Sequence, residues 1–246
     1  MMSRQWLLSA VLLLAGSGGA LAGPPYLTDD PEPTETGHWE NYLYTERARV
    51  SGAKSIQEAG IELNYGAYED LQVTLGLPLN PNPGLGGMGV VWAPLAGGVK
   101  YRFIEEDEDG WRPQVAFFPQ VAIPIGAAAK GAPVTELLPI WMQKSFGKWT
   151  MFGGGGYSNN PGPGNRDFAN YGLAVQNQVT DNLALGAEIF GQGADSLDDH
   201  PATAVGAAFI YDFSPLWHVV GSANTGIVRA AQSDQFSYNI ALKWTP

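Results

Sequence analysis

The three histidines, His38, His200 and His218, are the first place to look for acid–base chemistry. Ester hydrolysis at a membrane surface needs a serine hydroxyl within reach of an imidazole, and a third group to orient the ring. His38 opens an alternating run, His200 lies in an acidic loop, and His218 follows a tight turn. His218 with Ser214 or Ser222 is the conceivable pair. Ser222 is four residues along the same run, however, roughly 13 Å away at strand rise. The set of nucleophile, base and orienter is unfilled. These residues argue against an enzyme, and His218 reads as an interfacial histidine.

Two acidic clusters could attract a metal. Glu105-Glu106-Asp107-Glu108-Asp109-Gly110 has hard oxygen donors but lacks the alternating spacing of a calcium loop. It reads as a solvated turn closing on an Asp-Gly hairpin signal. Asp195, Asp198 and Asp199 share a loop where divalent cations bridging lipid phosphates are conceivable, but a soluble loop tip is favoured. The run Gly153 to Gly156 is followed by no Lys-Ser or Lys-Thr and opens no helix, so it is not a phosphate loop. Inside a strand it permits curvature or close approach of a plug. No metal and no cofactor are expected.

Composition narrows the setting of these residues. The 246-residue chain has 32 glycines, 18 prolines and no cysteine, so a disulfide scaffold is impossible. Charged residues are 15%, against roughly 25% in an ordinary soluble domain. With 13 basic and 24 acidic residues the net charge is −11, and no basic patch exists to meet phosphates, so nucleic acid is not an expected partner. Residues 1–22 read as a cleaved signal peptide: Arg4, an apolar core from Trp6 to Ala15, then Ala20-Leu21-Ala22. That core is shorter than the ~20 apolar residues of a membrane-spanning helix. No other segment comes near 18 consecutive apolar residues, and helical periodicity is missing.

Alternation with period two recurs instead. Leu71, Val73, Leu75 and Leu77 alternate with Gln72, Thr74 and Gly76. Phe236, Tyr238, Ile240, Leu242 and Trp244 alternate with Ser237, Asn239, Ala241 and Lys243. Each run has one greasy face and one polar or tiny face. Twelve runs are expected, near 38–49, 55–66, 70–79, 89–103, 111–124, 134–146, 148–157, 167–179, 182–193, 202–213, 216–226 and 235–245. The first, fourth, sixth and seventh alternate poorly, which leaves their facing open. Most have ten to thirteen residues, suited to tilted strands that cross a bilayer in ~9–11 residues.

Even-numbered connections are mostly tight, including Ala67 to Asp70, Glu105 to Gly110 and Gly147-Lys148. Odd-numbered ones are longer and rich in Gly, Pro and Asn, such as Asn80 to Gly87 and Ser158 to Arg166. Short turns at one end and long loops at the other are the asymmetry of an outer-membrane barrel. The outward set is Leu, Val, Ile and aromatics, and the inward set is too polar for a dry core, the reverse of a soluble sandwich. In lipid the sheet must close to satisfy its backbone. Trp39, Trp111, Trp149, Trp217 and Trp244 at run ends fit an interfacial girdle. The expected fold is all-β, a closed antiparallel transmembrane β-barrel of about twelve strands in an up-and-down meander over residues 38–246.

Inward parity selects the lumen-lining candidates: Glu62, Asn64, Gln72, Thr74, Arg112 and Gln114, then Gln120, Gln176, Gln178, Glu188, Asp212 and Lys243. Lumen charges of both signs would filter permeants, or simply pair across the lumen and hold the barrel closed. Residues 23–37 carry Pro24, Pro25, Pro31 and Pro33, which favour an extended segment outside the ladder and able to plug the lumen.

Pro25-Tyr26-Leu27-Thr28-Asp29-Asp30-Pro31-Glu32-Pro33, followed by Gly37-His38-Trp39-Glu40, resembles the N-terminus of a bacterial family named for the MetA pathway of phenol degradation. The resemblance implies an outer-membrane barrel that passes small, often hydrophobic compounds, and implies no catalytic residues. The expected function is therefore a channel or transporter for small hydrophobic or aromatic compounds; the alternative is a non-conducting structural or adhesive barrel. Expected partners are outer-membrane lipid and lipopolysaccharide, the barrel-assembly machinery and a small-molecule permeant.

Overall fold

The computed structural model describes residues 25–49, 56–80, 91–126, 131–230 and 236–246. The expected signal peptide, and the glycine- and proline-rich stretch 81–90, lie outside the described residues. Twelve strands form: β1 Trp39–Arg49, β2 Ile56–Tyr68, β3 Leu71–Asn80, β4 in two pieces (Val91–Trp92 and Leu95–Ile104), and β5 in two pieces (Gln114–Phe117 and Gln120–Ile123). They continue as β6 Thr135–Phe146, β7 Trp149–Asn159, β8 Phe168–Thr180, β9 Leu183–Gln192, β10 Ala202–Asp212, β11 Trp217–Val228 and β12 Phe236–Trp244.

Every strand pairs antiparallel with the next, and β12 returns to β1 from Asn41↔Trp244 to Arg49↔Phe236. The sheet is a closed twelve-stranded meander, so no strand edge is left for lipid to meet. The two breaks fall at prolines. Pro94 and Pro119 have no N–H to give to a ladder. Ala93 N donates to Pro78 O (3.1 Å), while Phe118 N donates to Pro139 O (3.2 Å) and Pro119 O accepts from Val99 N (3.1 Å), which carries the sheet across each gap.

Turn chemistry produces the short end. Asp70 and Gly147 occupy two-residue turns at φ of 61° and 62°, a region open to glycine and tolerated by aspartate. The connection after β4 is the exception. It runs nine residues, 105–113, held by Asp107 N to Arg112 O (3.1 Å) and Gly110 N to Asp107 O (3.2 Å). The expected run from 111 therefore starts at Gln114, because Pro113 and this turn keep Arg112 out of the ladder. Arg112 is exposed and donates to Glu105 O (3.1 Å), so it does not line the lumen.

Register settles the facing of the runs that alternate poorly. Tyr42 pairs with Lys243 and Tyr44 with Ala241, so the even residues of β1 face inward. In β4 these are Lys100 and Arg102, in β6 Leu137, Pro139 and Trp141, and in β7 Phe152, Gly154 and Gly156. Outside, Leu43, Leu173, Ile240 and their neighbours are exposed, a surface that only hydrocarbon can cover without cost. Trp217 stacks on Trp244 (5.8 Å) and Trp39 leans on Tyr65 (4.7 Å), both at the short-turn end where an aromatic girdle is expected.

Candidate functional site

The inward face of β2 and β3 carries a closed hydrogen-bond network. Asn64 Nδ2 donates to Glu62 (2.8 Å), Gln72 Nε2 donates to Asn64 and Thr74 (2.9 Å each), and Thr74 Oγ1 donates to Asn64 (2.6 Å). All four residues are buried. Alternation put them on one face, and antiparallel pairing put Asn64 opposite Thr74.

Residues 25–36 run through the lumen across this network to the opposite wall. Thr36 forms a parallel bridge with Gly66, and Gly37 N donates to Gly66 O (2.7 Å), which starts the segment at the short-turn end. Thr34 donates twice to Gln72 Oε1 (2.8 and 3.0 Å). Glu32 accepts from Gln114 (2.7 Å) and pairs with Arg102 (3.0 Å). Lys100 Nζ meets the Asp29 carboxylate (3.1 Å) and the Asp30 carbonyl (2.9 Å), with both side chains of the ion pair almost fully buried. On the far side, Glu188 accepts from the backbone amides of Leu27 and Thr28 at 3.0 Å.

Glycines in the far wall make the seat. A Cβ on Gly172 would strike the Thr28 side chain, and one on Gly186 the Tyr26 hydroxyl. Tyr26 donates to Gln176 (3.1 Å) and packs edge-on against Phe152 (5.1 Å). Burial, and then the charge of Glu188, push its phenol well above the ordinary tyrosine range, so it stays a donor. The run Gly153 to Gly156 has a different use. Gly154 and Gly156 leave room for Trp141 and Pro139 of β6, whereas Gly172, Gly186 and Gly66 admit the segment.

Of the sequence candidates, Gln72, Gln114, Gln176 and Glu188 touch the segment, and Glu62, Asn64 and Thr74 support it from behind. Gln120 is buried at an inward position. Gln178 sits near the short-turn rim and donates to Thr180 O (2.9 Å). Lys243 pairs with Glu40 and lies over the Tyr42 ring (5.7 Å), apart from the segment. Asp212 bonds His218 Nδ1 (2.5 Å), and His218 Nε2 meets Thr245 Oγ1 (3.0 Å). Among the described residues no serine joins that cluster: Ser214 Oγ instead accepts from Leu216 N and Trp217 N within its turn. Lys100 and Arg102 are missing from the candidate list, although Val99, Tyr101 and Phe103 alternating around them mark their face.

At the long-loop end a recess of about 590 Å³ is lined by Arg166, Asp167, Phe168, Asp199, His200 and Pro201. Nearby, burial and then the Asp199 charge push the Asp195 carboxyl up to about 6. Among the described residues no group of three or more His, Cys, Asp or Glu is arranged to hold a metal.

Residues 50–244 match the family described as "Putative MetA-pathway of phenol degradation". The chain belongs to that family. The matched range covers strands β2 to β12 and begins just after β1, beyond the Pro25–Glu40 opening that carries the resemblance in the sequence. No curated protein matches the sequence. Among solved structures, an outer-membrane channel of Pseudomonas putida F1 is similar in fold, with a TM-score of 0.68, 13% identity, and coverage of 88% of this chain and 98% of that one. The NanC porin gives 0.61 at 8% identity, covering 83% and 98%. The CymD monoaromatic hydrocarbon channel gives 0.50 at 13%, covering 86% and 88%. At these identities the likeness establishes the fold, an outer-membrane barrel.

Proposed function

We propose that the protein is an outer-membrane channel for small hydrophobic or aromatic compounds, closed at rest by its own residues 25–36. The observation that carries this reading is the segment itself, fixed by charge to one wall and seated on glycines of the other. A purely structural barrel could fill its lumen with strand side chains alone, without clearing a glycine seat for a strap. Inward Tyr44, Phe118, Phe152 and Phe168 offer ring faces to an apolar solute passing beside polar groups that fix its path. The family description and the named permeant of CymD agree with that substrate class.

The test is transport through refolded protein in planar bilayers and in liposomes loaded against toluene, phenol and a small sugar. Wild-type protein is expected to show brief openings, and deletion of residues 25–36 a larger and steadier conductance. If neither protein passes any solute, the channel reading fails and a non-conducting structural or adhesive barrel takes its place.

A further inference from the structure

The outer face of the barrel carries very few charges, and their positions differ in kind. Among the described strand residues the lipid-facing register holds Arg47 and Arg49 on β1, and Glu136 and Lys144 on β6. Lys144 is neutralised by Glu106 of the long periplasmic turn (2.8 Å), and Glu136 accepts from Asn159 (3.1 Å). Arg47 and Arg49 are exposed and have no hydrogen-bond or ion-pair partner among the described residues.

Both arginines end β1 on the long-loop side, which faces the cell exterior in barrels of this kind. They are two residues apart on one face, so their stems are separated by roughly 7 Å. Their cross-strand neighbours on β12 are Tyr238 and Phe236, both outward and exposed, and Gln57 of β2 lies beside Arg47. A guanidinium beside hydrocarbon is costly unless an anion meets it at the interface. In a chain of net charge −11, two cations without a partner among the described residues, at the outer headgroup level, are a selective exception.

We infer that Arg47 and Arg49 form a binding site for the phosphate groups of lipopolysaccharide in the outer leaflet, with Phe236 and Tyr238 covering its sugar and upper acyl carbons. Arginine suits the task because its planar fork donates to two phosphate oxygens at once. The site needs the outer-membrane placement in the reading above but not the transport activity.

Full-length protein refolded in detergent is titrated with lipopolysaccharide truncated to phosphorylated lipid A and inner core, and bound lipid is counted by native mass spectrometry. R47Q/R49Q is expected to bind at least about tenfold more weakly than wild type, and K144Q as well as wild type. Wild type given the same lipid with its phosphates removed should match R47Q/R49Q. Equal binding by R47Q/R49Q, or equal binding of the dephosphorylated lipid, overturns the site. Should R47Q/R49Q fail to show the mobility of a folded barrel on unheated gels, the dephosphorylated lipid on wild type decides alone. Recovery of wild type outside the outer-membrane fraction would defeat the placement instead, a separate outcome.

Discussion

The two walls of the lumen hold the same segment by opposite means. The β2–β5 wall uses charge and hydrogen bonds, with Lys100 on Asp29, Arg102 and Gln114 on Glu32, and Gln72 on Thr34. The β8–β9 wall contributes Glu188 and Gln176, but its shape comes from missing side chains at Gly172 and Gly186. Attraction fixes one end in register, and vacancy fixes the other in position. A segment held this way has a defined seat without a large apolar interface, which would be slow to leave.

Breaking the charged wall should have the largest effect. Lys100→Met strands Asp29 as a buried charge, and losing one partner of a buried pair costs about 3–5 kcal/mol. The chain has no cysteine, so a single Thr34→Cys variant reports segment release by its labelling with an impermeant maleimide. Labelling and conductance should both rise sharply when Lys100→Met is added. Filling the vacant wall comes next. Gly172→Val should displace Thr28 at a cost of about 1–3 kcal/mol, and it should raise labelling while the Lys100 contacts are untouched. Equal labelling in Gly172→Val and its parent would show that vacancy plays no part. Glu188→Gln keeps one acceptor oxygen for the two amides and should weaken docking by about 1 kcal/mol, visible as a modest gain in open time.

The smallest effect lies outside both walls. Asp195 titrates near 6 because burial and Asp199 disfavour its charge. Its folded value lies above the unfolded one, so the folded loop binds more protons and is most stable once Asp195 is protonated. Stability falls as pH rises toward about 6 and is flat above it. Hydrogen exchange across residues 193–201, corrected for intrinsic rates, should show more protection at pH 5 than at pH 7.5. Asp199→Asn should reduce that difference.

The strands and their facing were legible wherever one face was greasy and the other small. Leu71 to Leu77 and Phe236 to Trp244 fix β3 and β12, and with them Gln72, Thr74 and Lys243. Legibility failed where proline interrupted the ladder. Pro113 sits between Arg112 and Gln114, so parity carried into a turn placed Arg112 in a strand. Ala93-Pro94 and Gly97-Gly98 blurred β4, which hid Lys100. The seat was hidden for another reason: glycines at 172 and 186 look like ordinary inward small residues until Thr28 and Tyr26 are found against them.

Gly37, at φ +82°, is the only residue between the bridge at Thr36 and His38, so the segment is leashed to the start of β1. A strap on so short a leash never diffuses away. In the channel proposed above, the lifted strap would face its seat at an effective concentration on the order of millimolar, and re-closing would be unimolecular. Opening would then be brief, independent of how many copies the membrane holds, and reset by the chain itself after each passage.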